Sequence, residues 1–396
     1  MISSRFTRRA GLRNALLGLG ALALAACGAA GPRVSDSGIA VDPNAAVRVA
    51  LLVPQGSGDP GLENIALDLI NAAQLAQRDL TSVTIDLAIY PTNGSNAGGA
   101  AAASQAVAEG ATIILGPLLS SATAGANNAV AGSDVRILSF SNNPEVAGNG
   151  VYLLGNTFNN TAEQLVGYGL GRGLNNFGIV YPLGLEGETA RNAVATAIQR
   201  RGGNLVASEG YDVSRQGIAS RAAPIAASLN ARGASAVVLT DGVVGGLGIM
   251  AEALRENGVS AGATQFLGLQ RWDASPEVLA LSSLQGGVFV APDPGYVAQF
   301  NGRYSNAYGS TPNDLASLGY DGVAAVGALI AQSRSSGGSP FSDSRLTQSS
   351  GFAGANGVFR LLPNGLNQRN LAILEVRGGT AVVTQRAARS FDAVGN

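Results

Sequence analysis

The strongest constraint on the fold is a rhythm of short apolar strands alternating with helix-length segments, begun at Val47 and restarted at Phe177. In the first run, Val47–Pro54 reads as a strand, and Leu62–Leu80 follows with apolar residues at helical spacing (Leu62, Ile65, Ala66, Leu69, Ala73, Ala76). Val83–Tyr90 is a second strand, and Asn96–Glu109 an alanine-rich helix closed by Gly110, a residue suited to a C-cap. Ala111–Gly116 and Val135–Ser139 complete the run as strands. The second run reads strand Phe177–Tyr181, helix Thr189–Arg201, strand Leu205–Glu209 and helix Ala219–Ala231. It continues with strand Ala236–Thr240, helix Leu247–Asn257 and strands Gln265–Gly268 and Gly287–Pro292. Strands separated by helices of this length pair in parallel and are covered on both faces. The fold class is therefore α/β, with two doubly wound parallel-sheet lobes. In such sheets ligands bind beyond the carboxyl ends of the strands, so the loops there are the places to search.

A chain of 396 residues holds about two domains, in agreement with two runs. Which chemistry those domains can perform is narrowed by what is missing. All 25 basic residues are Arg; there is no Lys and no His. That excludes a Ser-His-Asp triad, a Cys-His pair and a His-ligated metal. It also excludes a Walker-A loop, a pyridoxal Schiff base and a Ser-Lys dyad. A carboxylate-pair hydrolase is left, but no such pair stands out, so we expect no catalytic residues, no metal and no cofactor. The arginines form no runs, which speaks against a nucleic-acid partner. Only 13% of residues are charged, about half the usual fraction, while the 55 glycines are about twice the average. Gly242–Gly246 matches no nucleotide fingerprint, and Gly167–Gly173 reads as a loosely packed helix.

The amino terminus carries its own signal. Arg5, Arg8, Arg9 and Arg13 precede an apolar stretch from Ala15 to Ala26 that is too short to span a bilayer comfortably. Leu24-Ala25-Ala26-Cys27 resembles the bacterial lipobox, in which the Cys is lipidated and cleavage falls just before it. Residues 1–26 are then a lipoprotein signal peptide, and residues 27–45 a lipidated Cys27 with a flexible tether. Three acyl chains exceed the two anchors that stable attachment needs. Thr7–Leu12 loosely resembles a twin-arginine export signal. Gly28, where inner-membrane retention would show Asp, implies an outer-membrane lipoprotein facing the periplasm of a Gram-negative bacterium. Loss of the four signal arginines takes the formal charge from −1 to −5. With Cys27 the only cysteine, the mature fold must hold by packing without a disulfide.

From Val47 to about Gln385 the chain resembles the type-I periplasmic binding proteins of the leucine/isoleucine/valine-binding branch. Gly116–Ser121 is similar to that family's strand-3 ligand loop, and Ser139–Glu145 to its strand-4 loop. Leu318–Val323 resembles the helix that returns to the first lobe, and Gly351–Gly365 the closing hairpin, with Asn364-Gly365 as its tight turn. The resemblance implies a hinge of three crossovers. Lobe one is expected at 46–155 plus about 296–350, and lobe two at 156–295 plus about 351–385.

The family's ligand carboxylate is held by the strand-3 and strand-4 loops, where this chain has Ser120, Ser121, Ser141 and Asn142. Ser120 and Ser121 could equally serve as caps of the following helix. The ammonium end departs from the pattern: Glu186 stands where a Tyr is common, and Asp241 where a second aromatic is expected. Gln270 falls where a carboxylate is wanted, with Arg271 and Trp272 beside it bringing a bidentate donor and a large ring. These departures, with the outer-membrane address, suggest a non-catalytic activator of a peptidoglycan synthase, a penicillin-binding protein. The alternative is the solute-binding receptor of a branched-chain amino acid-type ABC importer. The expected partners are a membrane through the lipid anchor, a penicillin-binding protein or an ABC permease, and a small-molecule ligand in the cleft.

Overall fold

A computed structural model describes residues 38–391. The signal segment, Cys27 and most of the tether therefore lie outside the described residues.

The first run builds β1 (Val47–Val53), α1 (Pro60–Asp79), β2 (Ile85–Pro91), α2 (Asn96–Ala108), β3 (Ile113–Leu115), α3 (Ser120–Ala129), β4 (Arg136–Ser139) and β5 (Val151–Leu153). The five strands form one parallel sheet in the order β2-β1-β3-β4-β5, with Leu51 opposite Leu115. The chain then crosses through residues 154–157 and builds the second lobe. Its elements are α4 (Phe158–Gly171), β6 (Asn176–Pro182), α5 (Leu185–Arg201), β7 (Asn204–Tyr211), α6 (Arg215–Ala231), β8 (Ala236–Leu239), α7 (Leu247–Glu256), β9 (Gln265–Gly268), α8 (Pro276–Leu279) and β10 (Val288–Ala291). A second crossover at 292–293 returns the chain to lobe one with α9 (Pro294–Tyr308), α10 (Ala316–Ser336) and α11 (Asp343–Leu346). There follow β11 (Phe352–Gly354), β12 (Gly357–Leu361) and β13 (Asn367–Arg369), then a third crossover to β14 (Ala372–Arg377) and β15 (Thr380–Gln385). The second sheet runs β15-β14-β10-β9-β8-β6-β7, antiparallel only at β10-β14 and β14-β15.

Both sheets carry apolar side chains on both faces, as parallel sheets must. In lobe one, Val49, Leu51 and Val53 face α1 and α10, while Ala50 and Leu52 face α2 and α3. Lobe two divides likewise: Val180 and Leu239 belong to one core and Ile179 and Val238 to the other. Alternate residues of one strand thus feed opposite cores.

Two expectations need correction. The segment from Gly351 does not belong to lobe two until residue 372. Phe352, Phe359 and Leu361 of the three-stranded β11–β13 sheet are buried in the same core as Leu51, Leu115 and Leu329. The Leu153 N–H at the edge of β5 also donates to the Gly365 carbonyl at 2.8 Å, so the hairpin extends lobe one. The end of the tether is docked rather than flexible. Ile39 and Val41 pack against the lobe-one cores, and the Ile39 carbonyl accepts a bond from the Ser339 hydroxyl at 2.7 Å.

The glycine excess has a packing cause. A Cβ at Gly99 of α2 would lie 2.1 Å from the Ala122 carbonyl oxygen of α3, and one at Gly125 of α3 would lie 2.0 Å from that of Asn96 in α2. On the other face a Cβ at Gly319 of α10 would sit 2.3 Å from the Leu69 carbonyl oxygen of α1. These helices approach backbone to backbone. Gly302, exposed within α9, has nothing within 4 Å of its would-be Cβ. Gly319→Ala should therefore destabilise the chain by about 1–3 kcal/mol through overpacking. Gly302→Ala should stabilise it by about 0.5–1 kcal/mol through lower unfolded-state entropy. Denaturant midpoints of the two variants check the contrast, and equal shifts would contradict it.

Candidate functional site

The chain switches direction along each sheet between its first strand and the two neighbours of that strand, β1 between β2 and β3, and β6 between β7 and β8. Carboxyl ends at such switch points leave a crevice. In lobe one the crevice opens into a cavity of about 390 Å³. One side is Leu62 and Ile65 of α1, Leu118 and Leu119 of the β3–α3 loop, and Phe140 and Asn142 after β4. The other side is made by the hinge: Gly155 and Asn156 of the first crossover, Pro292 of the second, and Arg369 and Leu371 of the third. Asp314, Leu315, Ser317 and Leu318 at the start of α10, with Asn356 of the β11–β12 turn, complete it. Eight of these sixteen side chains are Leu, Ile or Phe. A pocket of this size suits a small molecule.

Arg369 holds the hinge side in place. Its guanidinium is buried and pairs with the fully buried Asp321 of α10 at 2.8 Å. Its Nε and Nη2 donate to the Leu154 carbonyl at 3.0 and 2.8 Å, and its plane lies over the Phe359 ring. Its backbone N–H donates to Asn160 Oδ1 of α4 at 2.9 Å, and its carbonyl accepts from Gln164 Nε2 at 2.5 Å. One residue thus ties α10 of lobe one, α4 of lobe two and two crossovers. Burial pushes the Asp321 carboxyl up, and the Arg369 charge and the Ala355 N–H, at 2.6 Å, work against that.

The expected site residues scatter. Of the lobe-one candidates only Asn142 lines the cavity. Ser120 begins α3, but the N-cap is Leu119 and no side chain caps the helix, so the capping alternative does not hold either. Ser121 is exposed, and its carbonyl accepts from Asn96 Nδ2. Ser141 is buried, with its N–H donating to Ser139 Oγ and its own Oγ accepting from the Asn143 N–H. None of the three serines lines the cavity, and Ser141 is bonded within its own loop.

In lobe two, Glu186, Asp241 and Gln270 do meet, in a depression of about 360 Å³ at the β6–β8 switch point. Asp241 is buried and already accepts three hydrogen bonds. It accepts from the Tyr211 hydroxyl at 2.7 Å and from the N–H groups of Gly242 and Gly246 at 2.8 and 2.5 Å. Burial, and then its bond to Asp241, pushes the Tyr211 hydroxyl well above its usual range, so it remains a donor. Asp241 is a clasp for the turn into α7. Gln270 Nε2 donates to the Thr240 carbonyl at 3.1 Å. Glu186 is exposed, and together with Asn142 it borders a second depression between the lobes.

Arg271 and Trp272 part company. Arg271 makes a bidentate pair with Asp273 at 3.0 Å, and its Nη1 reaches Asp314 of the α9–α10 turn at 2.7 Å, joining lobe two to lobe one. The bonds to Asp273 hold its guanidinium charge more firmly than usual. Trp272, expected in the cleft, is instead fully buried in the lobe-two core against Phe289, with ring centroids 5.8 Å apart. Gly268 and Gly287 leave the room for it: a Cβ at either would come within 2.4 or 2.7 Å of the indole. The residues missed from sequence, Asp314, Asn356 and Arg369, come from separate segments; only the closing-hairpin motif, which contains Asn356 and ends four residues before Arg369, pointed toward two of them. Among the described residues no cluster of three or more acidic or cysteine side chains could hold a metal, and no helix is long and apolar enough to cross a membrane.

A profile described as "Periplasmic binding protein" matches residues 46–381, and the chain belongs to that family. No relative matched among curated proteins. Solved structures that are similar include one from Rhodospirillum rubrum described as a branched-chain amino acid ABC transporter. It is 18% identical with a TM-score of 0.71, and the match covers 86% of this chain and 100% of that one. An ABC transporter substrate-binding protein from Desulfitobacterium hafniense in complex with Leu is 17% identical with a TM-score of 0.60, over 86% and 100% of the two chains. A solute binding protein of an ABC transporter from Rhodopseudomonas palustris BisB5, in complex with 3,4-dihydroxy benzoic acid, is 16% identical with a TM-score of 0.55, over 87% and 97%. Each similarity is one of fold.

Removing Arg369 leaves Asp321 as a buried unpaired charge and orphans the Leu154 carbonyl. Arg369→Met should cost about 3–5 kcal/mol, read as a lower denaturant midpoint. A loss below about 1 kcal/mol would mean that the hinge does not depend on it.

Proposed function

We propose that this protein is a periplasm-facing solute receptor: it captures a small molecule between its lobes and presents it to an ABC-type importer. The observation that supports this best is the position of the cavity. Its walls include all three crossovers, so an occupant touches the segments that must rotate when the lobes close. A ligand shifts an open–closed equilibrium only through such differential contacts. Relatives by fold are ABC-transport receptors, one holding leucine and another 3,4-dihydroxy benzoic acid, so this fold does not by itself select an amino acid. The activator role expected from sequence has no comparable support: nothing in the fold or its relatives points to a peptidoglycan synthase. Lipidation at Cys27 fits a receptor as well, because a tethered receptor stays near its membrane.

In this reading Arg271–Asp314 is a latch across the cleft. Its exposed geometry makes it worth at most about 1 kcal/mol, or about a fivefold change in the closed population. Arg271→Ala should raise the radius of gyration of the ligand-free chain in solution scattering, and an unchanged value would remove the latch from the mechanism. The receptor role is tested with the Cys27→Ala chain, expected in the soluble fraction rather than with membranes. A panel of amino acids, aromatic acids and uncharged apolar compounds is screened by thermal unfolding. A ligand at about 100 times its dissociation constant stabilises by about 2.7 kcal/mol. If no compound shifts the transition, the receptor role falls.

A further inference from the structure

The receptor role leaves open what the cavity takes, and its charge pattern answers that. We infer that the cavity between lobe one and the hinge selects an uncharged, largely apolar small molecule and rejects zwitterionic α-amino acids. This inference rests on the receptor reading and goes on to name the ligand class.

Charged lining groups are two, and each is compensated within the protein. Asp314 is paired with Arg271 at 2.7 Å, and Arg369 with Asp321 at 2.8 Å. Arg369 also places its Nε and one N–H of Nη2 on the Leu154 carbonyl. A ligand ammonium would need a free carboxylate, and the cavity wall holds none: its one carboxylate, Asp314, is paired with Arg271. Asp241 lies outside this cavity and already accepts from Tyr211 and two backbone N–H groups, and Gln270 is neutral and bonded to Thr240. Glu186 is exposed and borders other depressions. An ammonium buried here without a partner pays a large desolvation cost. A ligand carboxylate fares little better. The β3–α3 loop meets the cavity through Leu118 and Leu119, while Ser120 and Ser121 lie outside it.

What the cavity does offer is apolar wall and a few neutral amides. Asn356 Nδ2 donates to Ser317 Oγ, and Asn156 Nδ2 to Thr161 Oγ1, so both amides are held in place. The Asn142 amide, on the exposed side, makes no hydrogen bond among the described residues and can serve one polar atom of a ligand. Burial of apolar surface then supplies the affinity, and one neutral polar group the orientation.

The test uses the Cys27→Ala chain with N-phenylnaphthylamine, an uncharged apolar probe whose fluorescence rises on burial. The probe is displaced in turn by isocaproamide, isocaproate and leucine, which share one branched chain and differ only in head-group charge. We expect saturable single-site binding of the probe, displaced by isocaproamide at a concentration about tenfold or more below that needed for isocaproate or leucine. Leu118→Glu, at a half-buried wall position, should weaken the probe by about tenfold or more. The exposed Asn142→Asp, which carries little folding risk, should weaken isocaproamide while leaving the unfolding temperature unchanged. If leucine displaces the probe as well as isocaproamide does, the inference is overturned and the receptor reading stands. Undiminished probe binding in a folded Leu118→Glu chain also overturns it, since the probe then sits elsewhere. If neither the probe nor any compound of the wider panel binds, both readings fall together.

Discussion

The structure turns on a buried ion pair at the meeting of three chain crossovers. Asp321 and Arg369 bring opposite charges out of water, which is costly unless every donor and acceptor finds a partner. Here each of their nitrogen and oxygen atoms has one: Arg369 Nε and Nη2 bond the Leu154 carbonyl and Nη1 bonds Asp321, whose carboxylate also receives the Ala355 N–H. Because Leu154 lies in the first crossover and residue 369 opens the third, the pair fixes where the lobes pivot. Arg369 also forms part of the cavity wall, so hinge and cavity are one construction.

Around that pivot the lobes are held by close packing without disulfides among the described residues. The low charge content and the many glycines belong together. With few charged side chains to cover surface, helices bury apolar and small residues against one another, and Gly99, Gly125 and Gly319 let their backbones touch. Interiors packed this closely transmit strain rather than absorb it. The three short crossovers line the cavity.

Three ionisable groups around the cleft are spent on the protein itself. Arg271 serves Asp273 and Asp314, Arg369 serves Asp321, and Asp241 clasps the turn into α7. Groups satisfied internally tie the segments together and leave a largely apolar cavity wall.

Much of this was legible in the residues alone. Strand and helix periodicity is local, read over a few turns, so two runs of β and α segments determined two parallel sheets, and the missing Lys and His determined which chemistries could not occur. Loop signatures picked out Asn142, which lines the cavity. They misplaced Trp272, because adjacent residues after β9 diverge and the indole's large apolar area is drawn into a gap left by Gly268 and Gly287. They put β11–β13 in the wrong lobe, because nothing local says which core Phe352 and Phe359 will fill. Tertiary structure alone decided that Asp314, Asn356 and Arg369 share one cavity and that Asp241 is already occupied. Membership of a cavity depends on contacts between segments hundreds of residues apart, and no periodicity in the chain records them.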